Sequence, residues 1–388
     1  MHAENPELSV VMPCLNEADT IESCIRKAQR AIQAHGIDTE IIVADNGSTD
    51  ESRAIALRLG ARVVDVEQKG YGAALMGGIA AANGTYVIMG DADDSYDFGE
   101  IPRFVERLRE GYDLVQGCRL PWGGGRMLPG AMPFLHRWIG NPMFTILARI
   151  WFGSPVSDVY CGLRGFPKEF YTQLNQRCIG MEFATEMIIK ASLFKSRITE
   201  VPITLHPDGR KTHTAHLKTF RDGWRTLRFF LVYSPRWLFL VPGAFLVLLG
   251  MVGAAVALPT TTIRGVTFAA HTLLFSCLAI LVGYQAILFA VFTKVFAIAE
   301  GLMPEDRWLT RLFEVINLEK GLIAGAVALV VGVVLLGSAV NQWRLAGFGN
   351  LEYGETMRVV ISGATLTALG VQTVLGSFFV SILGTLRK

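Results

Sequence analysis

The chain has 388 residues, 51% of them hydrophobic, and its mean hydropathy of +0.38 exceeds that of an ordinary soluble domain. A formal net charge of +2 offers no basic surface for nucleic acid and excludes that class of partner. Six cysteines (Cys14, Cys24, Cys118, Cys161, Cys178, Cys277) are scattered without a C-x-x-C pair. They read as reduced thiols in a cytosol-facing enzyme, not as a disulfide framework or a zinc site.

The opening "MHAENPELSVVMP" has neither a basic n-region nor an apolar h-region, so the N-terminal domain is expected to remain unexported. Strand and helix signals then alternate along the first 117 residues, which predicts a parallel sheet with crossover helices. "LSVVM" is the first strand, and the helix after it opens with a capping box in which Asp19 caps and Glu22 reaches back. "EIIVAD" is a second strand ending at Asp45, and "NGSTDES" turns into a helix through a second capping box, Ser48 with Glu51. "ARVVDV" is a third strand, "GYGAALMGGIAAANG" a helix of small residues, and "TYVIMGD" a fourth strand.

Ligands of open α/β sheets bind beyond the carboxyl ends of the strands, and Asn16, Asp45 and Asp91 all fall there. Three polar sites on one sheet edge read as a nucleotide pocket. A P-loop is excluded because G-x-x-x-x-G-K-[ST] is absent, and a dinucleotide fingerprint because Leu75 stands where the third glycine belongs. What remains is D-x-D in "MGDADDSYDF", where Asp91, Asp93, Asp94 and Asp97 crowd seven positions. Mg²⁺ or Mn²⁺ needs few protein carboxylates when diphosphate oxygens fill its other positions. A cation between Asp91/Asp93 and a diphosphate would offset the repulsion, while Asp94 and Asp97 read as solvent-facing turn residues.

Further along, "PWGGGRMLPG" reads as a mobile lid or a plain linker, and residues 134–153 are apolar enough to dip into lipid. The histidines of "HPDGRKTHTAH" (His206, His213, His216) have no thiol or carboxylate partner nearby in sequence, which disfavours zinc. In "HLKTFRDGWRTLRFFLVYSPRW", Lys218, Arg221, Arg225 and Arg228 recur at helical spacing with Leu217, Phe220, Trp224 and Leu227 between them. This predicts a helix lying in the headgroup layer. Four apolar stretches follow, near Leu238–Leu258, Phe268–Phe296, Leu322–Val340 and Val359–Leu383, each long enough to span a bilayer at about 20 residues per crossing. Lys294, Arg307, Arg311, Lys320 and the terminal "LRK" mark one side, against mainly Arg264 and Arg344, with Arg358 at a boundary. Both termini and the catalytic domain are therefore expected in the cytoplasm of a multi-pass membrane protein. The expected division is 1–205 catalytic, 206–236 juxtamembrane and 237–388 transmembrane.

"VVMPCLNEADTI", "VADNGSTD", "QKGYGAALMGG" and "GDADD", in this order and spacing, resemble the family 2 glycosyltransferases of GT-A fold. With "DVYCGLRGF", "GMEFATEM" and "ITEVPI", they look like its polyprenyl-phosphate (dolichyl-phosphate mannose or glucose synthase-like) branch, over residues 8 to about 230. The resemblance implies an α/β GT-A domain followed by a helical membrane domain. It implies nucleotide contacts from Pro13, Asn16, Glu17, Lys69 and Gly70, with Asp45 on base or ribose and Asp91 near sugar and ribose. Asp93 would be the main metal ligand for Mg²⁺ or Mn²⁺, beside Asp91. Related synthases often place Gln two residues beyond the second Asp; here Ser95 stands there, and its hydroxyl or a water is expected to substitute. Arg119 and Arg164 match arginines near donor and acceptor phosphates, and Arg210 and Lys211 are placed to grip a lipid phosphate.

The implied reaction transfers a hexose, glucose or mannose, from a nucleotide diphospho-sugar to a polyprenyl phosphate (undecaprenyl or dolichyl), with inversion. A homo-oligomer is compatible with this reading. The rivals are a processive polysaccharide synthase, whose Q-x-x-R-W is not matched by "NQWRL", and a non-catalytic lipid-sugar transport or scaffold protein.

Overall fold

The computed structural model describes residues 5–210, 219–305 and 318–385 and divides into two compact units, Met1–Phe230 and Leu231–Lys388. Lys211, His213, His216, Leu217, Lys218, Arg307, Arg311 and the terminal "LRK" lie outside the described residues.

The first unit is built on strands β1 (Leu8–Cys14), β2 (Thr39–Asp45), β3 (Arg62–Asp65), β4 (Tyr86–Met89), β5 (Leu114–Cys118), β6 (Arg126–Met127), β7 (Arg164–Pro167), β8 (Ile198–Pro202) and β9 (Thr204–Leu205). Seven of these form one sheet in the order β3-β2-β1-β4-β7-β5-β8, and β6 pairs with β9 apart from it. The pairs β1–β2, β1–β4 and β2–β3 are parallel, as the alternation predicts. Strand β7, outside the 117 residues for which a parallel sheet is expected, runs antiparallel between β4 and β5 and is unmarked in the sequence. The reason lies in its sequence: "RGFP" has an Arg, a Gly and a Pro in four positions, so neither propensity nor alternation marks it as a strand.

Both faces of β1 are covered, and all its residues but Pro13 are buried. Helix α1 (Ile21–His35) packs there through Ile21, Cys24, Ile25, Ala28 and Ala31, a three- and four-residue repeat, and stops at Gly36 in the left-handed region (φ +61°). Helices α2 (Ser52–Arg58), α3 (Tyr71–Ala81) and α4 (Ile101–Arg109) follow β2, β3 and β4. Of these, α4 buries Ile101, Phe104, Val105 and Leu108, each worth roughly 1.5–3 kcal/mol relative to exposure.

Neither capping box forms. Thr20, not Asp19, occupies the α1 cap position, with no side-chain cap bond, and Glu22 pairs with Arg26 and Arg58. At α2 the cap position falls to Glu51. Ser48 Oγ instead accepts the Asn16 N–H (2.9 Å), and the Asp50 carboxylate takes the Ser52 N–H and O–H (3.0 and 2.5 Å). Partners both near and far in sequence take the capping side chains.

Helices α5 (Asn141–Phe152), α6 (Lys168–Leu174), α7 (Glu182–Leu193) and α8 (Thr219–Val232) complete this unit, the last two residues of α8 crossing into the second. Phe144 and Phe152 of α5 pack edge-on against Phe230 of α8 (centroids 5.6 and 5.4 Å). The opposite face of residues 134–150 leaves Phe134, Trp138, Ile139, Met143, Ile146 and Ile150 exposed.

In the second unit four helical stretches are long and apolar enough to cross a membrane: Arg236–Ala257, Ala270–Ala299, Leu318–Leu345 and Tyr353–Leu383. Their α-helical parts are α9 (Val241–Ala257), α10 (Ala270–Ala299), α11 (Leu318–Leu345) and α12 (Tyr353–Thr385). Glycine sets the approach within each hairpin. A Cβ on Gly283 of α10 would stand 2.6 Å from the Gly243 carbonyl oxygen of α9, and one on Gly332 of α11 2.5 Å from the Thr367 nitrogen of α12. Such contact replaces the hydrophobic drive that lipid does not supply.

Candidate active site

The carboxyl ends of β1, β2 and β4 carry the residues singled out by sequence. Asn16 follows β1 in the left-handed region (φ +61°), and its side-chain oxygen accepts the Thr49 N–H (2.8 Å). Pro13 lies in β1, half-buried. Asp45 ends β2 fully enclosed; it accepts the Gly47 and Ser48 N–H groups and a 3.0 Å bond from Arg53. Asn46, absent from the sequence-based set, ties the end of β2 to residues 66–70. Its amide donates to the Val66 and Gln68 carbonyls (2.9 and 2.8 Å), and its oxygen accepts the Gly70 N–H (2.9 Å). Lys69 Nζ donates to the Asn46 carbonyl (2.6 Å). Gly70 has a backbone (φ +139°) that only glycine tolerates, against the Ile179 carbonyl.

The acidic cluster after β4 is resolved residue by residue. Asp91 accepts the Tyr71 hydroxyl at 2.7 Å. Burial first, then the charge of Asp93, pushes its carboxyl up to about 7. Asp93 accepts the Ser95 N–H and hydroxyl at 3.0 and 2.6 Å, so the serine orients this carboxylate. Asp94 does not face solvent as a turn residue, as its sequence context suggests. It sits at φ +61° and reaches α1, where Ser23 and Lys27 donate to it at 3.0 and 2.8 Å. Asp97 caps a short 3₁₀ turn by accepting the Gly99 N–H.

A cation already stands in the cluster. The segment after β9 lies alongside it: the His206 N–H bonds the Ser95 carbonyl and the Gly209 N–H the Asp93 carbonyl, both at 2.9 Å. This aims Arg210 at Glu17, with Nη2–Oε1 2.6 Å and Nε–Oε2 2.8 Å, at Asp208 (2.9 Å) and toward Asp93 (3.7 Å). Burial disfavours the Arg210 charge, but Glu17 overcomes this and raises its pKa. Arg210 thus stands among the carboxylates of Glu17, Asp93 and Asp208.

Arg119 is buried and clamped by Asp158, Nε–Oδ2 2.7 Å and Nη2–Oδ1 2.8 Å, with the Tyr96 hydroxyl 3.4 Å away. Burial works against its charge, and Asp158 holds it protonated. Arg164 departs from the expected place at a phosphate. It is fully buried, and its guanidinium donates to the carbonyls of Cys161 (2.9 Å), Val159 (2.9 Å) and Ala184. Those bonds hold the "DVYCGLRGF" loop against α7, and burial lowers its pKa. A sequence shows the arginine in the motif but not that three carbonyls enclose it. Asp158 and Tyr71 were legible only as members of quoted motifs.

The model of the family described as glycosyl transferase family 2 matches residues 9–174, and that of the glycosyltransferase family 2 C-terminal transmembrane region matches residues 291–384. A low-salt glycan biosynthesis hexosyltransferase, Agl6 of Haloferax volcanii, is 38% identical over 98% of this chain and 89% of its own length. The chain belongs to glycosyltransferase family 2. It is a glycosyltransferase with a C-terminal membrane region, and its mixed α/β domain is of the GT-A class. A dolichyl-phosphate hexose transferase of the same organism is 32% identical over 51% of this chain and 82% of its own length. Among solved structures, a glucosyl-3-phosphoglycerate synthase from Mycobacterium tuberculosis, in complex with Mn²⁺, UDP and glucosyl-3-phosphoglycerate, is 25% identical, with a TM-score of 0.46. That match covers 58% of this chain and 79% of the synthase.

Among the described residues no three His, Cys, Asp or Glu side chains form a complete metal cage. The two carboxylates Asp91 and Asp93 nevertheless fit a hard divalent cation that draws its remaining oxygens from a diphosphate. Burial first and the neighbouring Asp93 charge second disfavour the Asp91 carboxylate, and such a cation would offset both.

Proposed function

We propose that this protein transfers a hexose from a nucleotide diphospho-sugar to the phosphate of a polyprenyl lipid, inverting the anomeric carbon. The observation that carries this reading is the Asp91–Asp93 pair at the end of β4, beside the Asp158-clamped Arg119. The likeness to a dolichyl-phosphate hexose transferase supports the acceptor class.

Asp45 and Asn16 border the nucleotide end, and Asp91 and Asp93 would hold Mg²⁺ or Mn²⁺ against the diphosphate. A divalent cation there supplies charge neutralisation for the leaving diphosphate. Arg119, kept cationic by Asp158, faces phosphate charge, and Arg210 exchanges Glu17 and Asp208 for phosphate oxygens as substrates enter. An acceptor phosphate oxygen attacks the anomeric carbon while its bond to the diphosphate oxygen breaks on the opposite side. The acceptor needs no general base, because a phosphate monoester with a second pKa of about 6 is already largely dianionic at neutral pH. Positioning then supplies most of the rate.

The juxtamembrane helix α8 and the exposed apolar face of residues 134–150 suit a lipid-borne acceptor, and the catalytic unit and both termini are assigned to the cytoplasm. Transfer of radiolabel from a panel of UDP- and GDP-hexoses into a short polyprenyl phosphate tests the reading. Labelled, extractable lipid that forms only with Mg²⁺ or Mn²⁺ is expected. A protein that labels no lipid with any sugar in the panel overturns it, and a growing water-soluble glycan points to the processive alternative.

A further inference from the structure

The geometry points to Tyr71 as a positioning residue for Asp91, mounted on a loop that Glu186 pins in place; this rests on the proposed function. Among the described residues Tyr71 is the side chain that hydrogen-bonds the Asp91 carboxylate, through Oδ1 at 2.7 Å. The other oxygen is left room by a glycine, since a Cβ on Gly162 would stand 2.7 Å from Asp91 Oδ2. One oxygen is hydrogen-bonded, and against the other packs a residue without a side chain. A carboxylate so held presents a single orientation to a metal–diphosphate.

The mount explains a motif to which the reaction assigns no role. Tyr71 is the first residue of α3, and that helix start is pressed against residues 178–179. The Ala73 N–H donates to the Ile179 carbonyl (3.0 Å), and a Cβ on Gly72 would stand 2.4 Å from the Cys178 carbonyl oxygen. The same loop is held from below by Glu186 of "GMEFATEM", fully buried in α7, whose carboxylate accepts the Arg177 and Cys178 N–H groups (3.0 and 2.8 Å). Lys190 neutralises Glu186 at 2.8 Å and donates to the Asn175 carbonyl at 2.7 Å. A buried ion pair thus fixes the loop, the loop fixes the start of α3, and α3 delivers the phenol to Asp91.

The test is a double-mutant cycle on the full chain in lipid nanodiscs, reading Mn²⁺ affinity by electron paramagnetic resonance with UDP or GDP present. Tyr71→Phe removes one hydroxyl and keeps the ring, so the melting temperature is expected to hold. Mn²⁺ affinity should fall roughly tenfold, the scale of a lost hydrogen bond to a charged group. In an Asp91→Asn background the same change should move affinity by less than about twofold, because the partner is gone. In transfer, kcat should fall about tenfold while KM for the nucleotide sugar stays within about threefold. Equal losses in both backgrounds, or an unaltered Tyr71→Phe protein, overturn the assignment while leaving the proposed function standing. A wild-type protein that binds no Mn²⁺ with either nucleotide overturns both.

Discussion

The two units of this chain solve the same problem, bringing backbones and side chains close, by opposite means. Around Asp91 the first unit crowds like charges and long side chains, and each is satisfied: by a partner distant in sequence for Asp91 (Tyr71), Asp94 (Lys27) and Arg119 (Asp158), and by three carbonyls, two of them close in sequence, for Arg164. The membrane unit takes another route. It removes side chains where helices meet, at Gly283 against Gly243 and Gly332 against Thr367, and adds a hydrogen bond between the Tyr284 and Thr373 hydroxyls at 2.7 Å. In a water-facing domain, an unpaired buried charge is the costly error; in lipid, a misplaced methyl is, because close packing is the main attraction available.

That contrast can be broken at particular residues. The largest effect is expected at Asp93, where Asp93→Asn keeps the shape and removes the charge. Transfer should collapse by about a hundredfold or more, equivalent to roughly 2.7 kcal/mol of transition-state stabilisation. The melting temperature in chelator should hold or rise, since one of two repelling carboxylates is gone. Retention of near-normal, metal-dependent transfer would remove Asp93 from the site.

Arg164→Ala probes the charged unit where carbonyls enclose a guanidinium. Three buried carbonyls lose their donor, so the first unit should lose about 2–3 kcal/mol or more of stability, read from denaturant unfolding of the full chain. A variant as stable as wild type but defective in acceptor binding would return Arg164 to the phosphate role read from sequence.

The matching probe of the membrane unit is Gly332→Leu, which puts a side chain where a Cβ alone would stand 2.5 Å from the Thr367 nitrogen. Overpacking of this kind costs about 1–3 kcal/mol, measurable as a lower melting temperature in detergent with nucleotide affinity unchanged. Val330→Leu, on an exposed position of the same helix, is the control and should be silent.

The smallest effect sharpens the acidic cluster. Asp94→Asn weakens a part-exposed contact to Lys27 and Ser23, worth about 1 kcal/mol or less. Transfer should stay within about threefold of wild type. If Asp94→Asn proves the inactive variant and Asp93→Asn the active one, the assignment of the pair is reversed.

Several features were determined by sequence alone because they depend on composition and short-range pattern. Four apolar stretches identify the spans, short apolar runs leading to Asp45 and Asp91 identify two central strands, and "GDADD" identifies the acidic edge. The capping boxes do not form because other partners compete for the same side chains: Ser48 serves Asn16, and Glu22 serves Arg26 one turn on and the more distant Arg58. Strand β7 was hidden because its pairing partners, β4 and β5, create it where propensity does not. The fates of Arg119, Arg164 and Arg210 were decided only by tertiary structure, for one electrostatic reason. A guanidinium in a motif has the same sequence signature whether a carboxylate, a ring of carbonyls or a phosphate surrounds it, and only the folded chain brings that neighbour within 3 Å.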